Sequence, residues 1–156
     1  MNRVAVPPLA WAGAAFAIQF GVSDKRPTVL SAATGALIAT TSAAFALAAV
    51  SEFRRQGTSM NPLDLDHVDE LVQSGPNRFS RNPMYVGMAG VLVGHAIAHR
   101  SARALAPAAV FVAIIDRLQI PVEEAMLRER FGNDFDDYAK RVPRWIGYRT
   151  AQARND

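Results

Sequence analysis

The chain has no cysteine among its 156 residues, which excludes disulfides and thiolate-bound metals. Charge is the more informative scarcity. None falls between Val4 and Val22 or between Thr28 and Val50, runs of 19 and 23 residues, each close to the roughly 20 that carry a helix across a hydrocarbon core. Charges are dense instead from Ser51 to Arg81 and from Glu123 onward. The average conceals this division: the sequence is 50% apolar with a mean hydropathy of only +0.05. A clustered basic patch is also lacking. The pI of about 9.8 therefore does not imply a nucleic-acid partner, and membrane lipids are the expected counterpart of the arginines.

The two apolar runs read as spanning helices over about 4–22 and 28–50. Arg3 and the Ala15-Phe16-Ala17 triplet imitate a signal peptide, but the run exceeds a signal core and a second run follows within a few residues. Pro7 and Pro8 fall in the first helical turn, where a missing amide donor costs little. Two further spans are expected over 83–99 and 104–122, the second interrupted by Asp116 and Arg117. The short His99 to Arg103 connection pairs them as an antiparallel hairpin. Asn82 suits an N-cap with Pro83 at the first helical position. Gly87, Gly90, Gly94 and Ala98 recur at three- and four-residue spacing, which lets a neighbouring backbone approach closely.

The expected fold is all-α: a polytopic membrane protein with about four transmembrane helices plus a cytosolic C-terminal helical segment, in one domain over 1–156. With that topology, 13 of the 17 Lys and Arg residues lie on the side of both termini. The positive-inside rule makes that side cytosolic. The loop 51–82 and the tail 123–156 then share the cytosolic membrane face. In the tail, Pro121 is expected to kink the helix, Glu123 to Phe131 to continue it and Gly132 to close it. A short helix capped by Asn133 or Asp134 follows. Its Phe135, Tyr138 and Val142 form one apolar face before Pro143 stops it.

The stretch GPNRFSRNPMYVG (75–87), followed by Glu123-Glu124 with Leu127, Phe131-Gly132, Tyr138 and Val142-Pro143-Arg144, resembles the C-terminal signature of the isoprenylcysteine carboxyl methyltransferases and the wider phospholipid methyltransferase-like membrane family. The resemblance covers about Leu71 to Ile146, and Gly57-Thr58-Ser59 with Pro62 is similar to the bacterial members. It implies an integral membrane enzyme that transfers a methyl group from S-adenosylmethionine, releasing S-adenosylhomocysteine. The implied cofactor contacts are Leu71, Val72, Asn77, Asn82, Pro83, Met84, Tyr85 and Glu123; Arg81 and Glu124 are the candidate catalytic residues. Asn77 stands where Tyr is common, Asn82 where His is common and Phe135 where Tyr is frequent. Gln119 replaces the Arg with which prenylcysteine enzymes hold the substrate carboxylate.

The chemistry suits such residues. A sulfonium donor needs chiefly alignment and exclusion of water, and attack by an anion neutralises charge, which a low-dielectric pocket favours. An acid such as Glu123 can pair with the donor's cationic groups, while Tyr85 and Arg81 can hydrogen-bond a carboxylate. Whether Glu124 serves as a base, and whether the nucleophile is O, N or S, stays open. The acceptor is expected to be a lipophilic small molecule or lipid; the oligomeric state is not legible. Singly, each residue has a plainer reading: Glu123 and Glu124 as surface acids, Arg78 and Arg81 as interfacial anchors, Tyr85 as part of an aromatic belt, Arg144 as a tail anchor. It is their joint spacing that points to a site.

His95 and His99 are four apart on one helical face, a metal or haem spacing, but no third ligand is evident, and no metal is expected. Two other readings remain. One is a nicotinamide-dependent membrane reductase related to the sterol reductases, which share a similar C-terminal pattern; the other is a non-catalytic four-helix scaffold or haem-binding protein.

Overall fold

Helix follows apolar run along most of the chain. In this computed structural model residues 7–23, 25–57 and 70–147 are described. Thr58, Ser59 and Pro62, residues 4–6 of the first expected span and the tail beyond 147 lie outside them. Among the described residues the fold is all-helical: α1 (Pro8–Val22), α2 (Val29–Arg55), a 3-10 turn (Gly75–Arg78), α3 (Pro83–Ala98), α4 (Leu105–Ile114), a π-helical turn (Ile115–Gln119), α5 (Ile120–Phe131) and α6 (Asn133–Arg141). Two stretches are long and apolar enough to cross a membrane, α2 and the continuous helix Leu105–Phe131, each of 27 residues. α1 and α3 are apolar but shorter.

Local chemistry sets the helix ends. The Ser31 amide donates to Thr28 Oγ1 at 3.2 Å and the Thr28 amide to Ser31 Oγ at 3.0 Å, a reciprocal cap that starts α2. α2 runs past Val50 through Glu52 and Arg55 to Gly57, whose φ of 66° stops it. α3 ends at Arg100, a non-glycine residue with φ 53°; the Ser101 and Arg100 amides turn back to the Ala96 and Ile97 carbonyls, the double closure of a Schellman motif.

Around Pro121 the helix changes its winding and does not end. A proline inside a helix lacks an amide and collides with the carbonyl four residues back. The preceding residues widen into a π turn, in which the Ile120 amide bonds the Ile115 carbonyl, and the helix continues to Phe131. The start of α6 is corrected. Gly132, with φ 52°, occupies the N-cap position, and no side chain caps the helix; a positive φ suits glycine better than Asn133 or Asp134.

Contacts divide the chain into two compact units, Met1–Ala44 with Gly87–Ile120 and Phe45–Val86 with Pro121–Asp156. In the first, small residues bring α2 and α3 together. A Cβ on Gly94 would lie 2.6 Å from the Gly35 carbonyl oxygen and 2.9 Å from the Ala39 nitrogen, so the backbones themselves touch. Gln19, wholly buried on an otherwise apolar α1, donates from Nε2 to the carbonyls of Leu92 at 3.0 Å and Ala104 at 2.7 Å. Large apolar side chains face outward instead: Val29 is 91% exposed, Leu30 78% and Leu9 70%. Small residues inside and large apolar ones outside is the pattern of helices solvated by lipid rather than water.

In the second unit, Phe135, Tyr138 and Val142 are buried with Leu71, Leu127, Phe131 and Ala139 packed against them. This is the apolar face expected of α6.

Candidate functional site

The site forms in the second unit, where the chain from Glu70 to Tyr85 meets α5 and α6. Gly75, at φ 56°, opens the 3-10 turn beside the Glu52 side chain. Ser74 Oγ donates to Glu52 Oε1 at 2.6 Å and accepts from Gln56 Nε2 at 2.7 Å. The end of α2 thereby holds the start of the loop. Asn77 is buried, and its carbonyl accepts from the Tyr138 hydroxyl at 2.8 Å. Burial pushes the Tyr138 phenol well above its ordinary value, against the opposing charges of Arg81 and Arg141. It therefore stays a protonated donor.

Asn82 stands at the N-cap of α3, and its carbonyl takes the Tyr85 and Val86 amides. Its side chain, however, donates to the Arg144 carbonyl at 3.2 Å, so it bridges to the tail. The Arg81 side chain is 9% exposed. Nη1 donates to the Ala139 carbonyl at 2.9 Å and the Val142 carbonyl at 2.5 Å, and Nη2 to Glu124 Oε1 at 2.6 Å. Its Nε is buried with no acceptor. An unsatisfied buried donor costs roughly 1–3 kcal/mol.

The two adjacent glutamates have separate partners. Glu123 Oε1 accepts from the Tyr85 hydroxyl at 2.5 Å. Glu124, beyond the apolar part of its helix, is held by Arg81 and Arg144. Burial alone would raise its carboxyl, but the hydrogen bonds and charges of Arg144 and Arg81 hold it below its ordinary value. A carboxylate between two guanidiniums remains ionised and makes a weak base.

One cavity is lined by Leu71, Val72, Asn77, Arg81, Asn82, Pro83, Met84, Tyr85, Glu123 and Glu124, all ten of the residues singled out in the sequence. Phe53, Glu70, Leu127, Phe135 and Tyr138 complete it. Of these, Leu127, Phe135 and Tyr138 were legible as an apolar face or as part of the motif, though not as cavity wall. Phe53 and Glu70 had weaker signals: an aromatic on the polar last turn of α2, and an acid next to Leu71. Among the described residues the walls are mostly apolar, with three carboxylates (Glu70, Glu123, Glu124) against one guanidinium (Arg81).

His95 and His99 belong to the first unit. Their ring centroids are 4.5 Å apart, and His95 packs on Phe16 and Phe20 at 4.9 and 5.0 Å. Among the described residues no cluster of three metal-binding side chains forms.

No curated protein and no solved structure matches the chain significantly. A family model does, that of the phospholipid methyltransferases, over residues 30–134. The match takes in α2 through α5 and every one of the ten cavity residues named above. Because it extends over more than half of the sequence, the chain belongs to the phospholipid methyltransferase family.

Proposed function

We propose that this protein is a membrane methyltransferase that uses S-adenosylmethionine to methylate a lipophilic acceptor, with the cavity of the second unit as the donor site. The observation that carries this reading is the charge of the cavity. Among the described lining residues, Glu124 is paired with Arg81 and Arg144 while Glu70 and Glu123 remain as further carboxylates, which suits a ligand bearing a sulfonium and an ammonium. These carboxylates oppose the phosphates of a nicotinamide dinucleotide, which call for several cationic partners. Arg81, on the cavity wall, adds a cation suited to the ligand's carboxylate.

In this reading Glu123, oriented by the Tyr85 hydroxyl, balances the donor's positive charge. Leu71, Val72, Pro83 and Met84 form apolar walls that exclude water from the transfer, and Asn77 and Asn82 offer polar contacts at their edge. The bound donor supplies an activated methyl group, so these residues need only align it with the acceptor. Arg81 holds a carboxylate in place. Glu124, ionised between two arginines, braces Arg81.

Calorimetric titration of the detergent-solubilised protein with S-adenosylmethionine, S-adenosylhomocysteine, NADPH and haem tests the assignment. Both adenosyl ligands are expected to bind. Binding of NADPH or haem with neither adenosyl ligand would sink it.

The topology belongs to the same proposal: a single membrane domain with spans over about 4–22, 28–50, 83–99 and 104–122, both termini cytosolic and the cavity at the cytosolic face. Its support is the charge asymmetry, 13 of 17 basic residues on one side. Since the chain lacks cysteine, single cysteines introduced at Arg78 and Arg100 give an unambiguous test. A membrane-impermeant maleimide added to right-side-out vesicles is expected to label position 100 and spare 78. Equal labelling of both would overturn the topology.

A further inference from the structure

Three consecutive backbone carbonyls, those of Val142, Pro143 and Arg144, all accept from the short segment Ser80 to Asn82. Val142 O accepts from Arg81 Nη1 at 2.5 Å, and Pro143 O from the Arg81 amide at 2.9 Å. Arg144 O accepts from Ser80 Oγ at 2.7 Å and Asn82 Nδ2 at 3.2 Å. The turn after α6 thus clasps the polypeptide that leads into α3. The backbone of Arg144 does this, and its side chain does something else.

That side chain reaches Glu124 with two nitrogens. Nε donates to Oε1 at 3.0 Å and Nη2 to Oε2 at 2.7 Å, the forked geometry by which a guanidinium fixes the plane of a carboxylate. Arg81 Nη2 takes a further position on Oε1 at 2.6 Å. One cation would have sufficed to neutralise a carboxylate only 8% exposed; the second does not add charge balance. It removes the carboxylate's freedom to rotate. With Glu124 fixed and Nη1 bound to two carbonyls, Arg81 has one orientation, and its Nε is left without an acceptor.

We infer that Arg144 is a positioning residue of the site, holding Glu124 so that the Arg81 guanidinium keeps one orientation at the cavity wall for a carboxylate-bearing ligand. This rests on the methyl-donor reading above. Arg144 does not line the cavity and lies outside residues 30–134 matched by the family model, so its part is carried by the ion-pair geometry alone. A lysine, with one compact ammonium, cannot reproduce the fork.

The test is S-adenosylhomocysteine titration of the full chain in detergent, comparing wild type, Arg144→Gln, Arg144→Lys, Glu124→Gln and the double variant Arg144→Gln/Glu124→Gln, with thermal melting of each ligand-free protein alongside. Arg144→Gln is expected to weaken binding about tenfold and Arg144→Lys by less. The carbonyl contacts of residue 144 persist in both. Because Arg144 acts through Glu124, the double variant is expected to bind no more weakly than Glu124→Gln alone. A purely structural role would instead lower melting temperature in proportion to affinity and give additive losses.

Wild-type affinity in Arg144→Gln, or additive losses in the double variant, overturns the inference while leaving the methyl-donor reading intact. Should Arg144→Gln fail to fold, Arg144→Lys carries the comparison, and wild-type affinity there overturns it equally. A wild-type protein that binds neither adenosyl ligand overturns the donor reading and this inference with it.

Discussion

Glu123→Gln is expected to weaken binding of the adenosyl donor by about 10- to 100-fold while leaving the melting temperature of the ligand-free protein nearly unchanged. The amide keeps the volume of the side chain and an oxygen to accept from the Tyr85 hydroxyl, now 2.5 Å from Glu123 Oε1, so local packing survives. The charge does not. A hydrogen bond or pair involving an ionised partner contributes roughly 1.5–3 kcal/mol, which converts to that range of affinity. The two adenosyl ligands divide the question further. If Glu123 faces the sulfonium, S-adenosylmethionine loses more affinity than the neutral thioether S-adenosylhomocysteine; if it faces the ammonium, both lose equally. Unchanged calorimetric affinity for both ligands would remove Glu123 from the site.

Gly94→Val is expected to be the most destructive single change in the helical framework. The new Cβ would sit 2.6 Å from the Gly35 carbonyl oxygen and 2.9 Å from the Ala39 amide nitrogen. Both are backbone atoms of α2, unable to rotate aside, so the helices must separate. Overpacking of this kind costs about 1–3 kcal/mol and sometimes more, and separation also forfeits the Ser31 Oγ bond to the Ala98 carbonyl, 2.9 Å long. Gly13→Val is the matched control, because nothing lies within 4 Å of a Cβ there. Thermal melting and monodisperse yield in detergent should separate the two variants clearly. Equal melting temperatures would show that close approach of α2 and α3 does not govern stability.

These expectations draw on different levels of the molecule. The glycine spacing on α3 was readable as a close-packing signal, yet only the folded chain identifies Gly35 and Ala39 as the atoms approached. The apolar runs were readable as helices because charge is absent over lengths that suit a bilayer. Pro83 at the start of α3 and Pro143 after α6 followed from the geometry of proline. The ten cavity residues were legible through motif spacing, since they come from two short stretches, Leu71 to Tyr85 and the Glu123-Glu124 pair.

Other features depended on competition that no local rule resolves. Asn82 stands at the N-cap of α3, but only the folded chain brings the Arg144 carbonyl within reach of its side-chain amide. Gln19 looks out of place on an apolar helix until the Leu92 and Ala104 carbonyls are brought to it. The π turn before Pro121 was not foreseen either: widening the helix by one residue relieves the proline's collision locally.

The sequence by itself determined where helices form, where they are apolar enough for lipid, and which two polar stretches carry the unusual residues. It presented Glu123 and Glu124 as one acidic pair. Tertiary structure alone separated them: successive residues on an α-helix point about 100° apart, so when α5 packs beside the loop, one glutamate meets the Tyr85 hydroxyl and the other meets Arg81 and Arg144. Adjacent in the chain, they face different neighbours, and that rotation is what gives each its own partners.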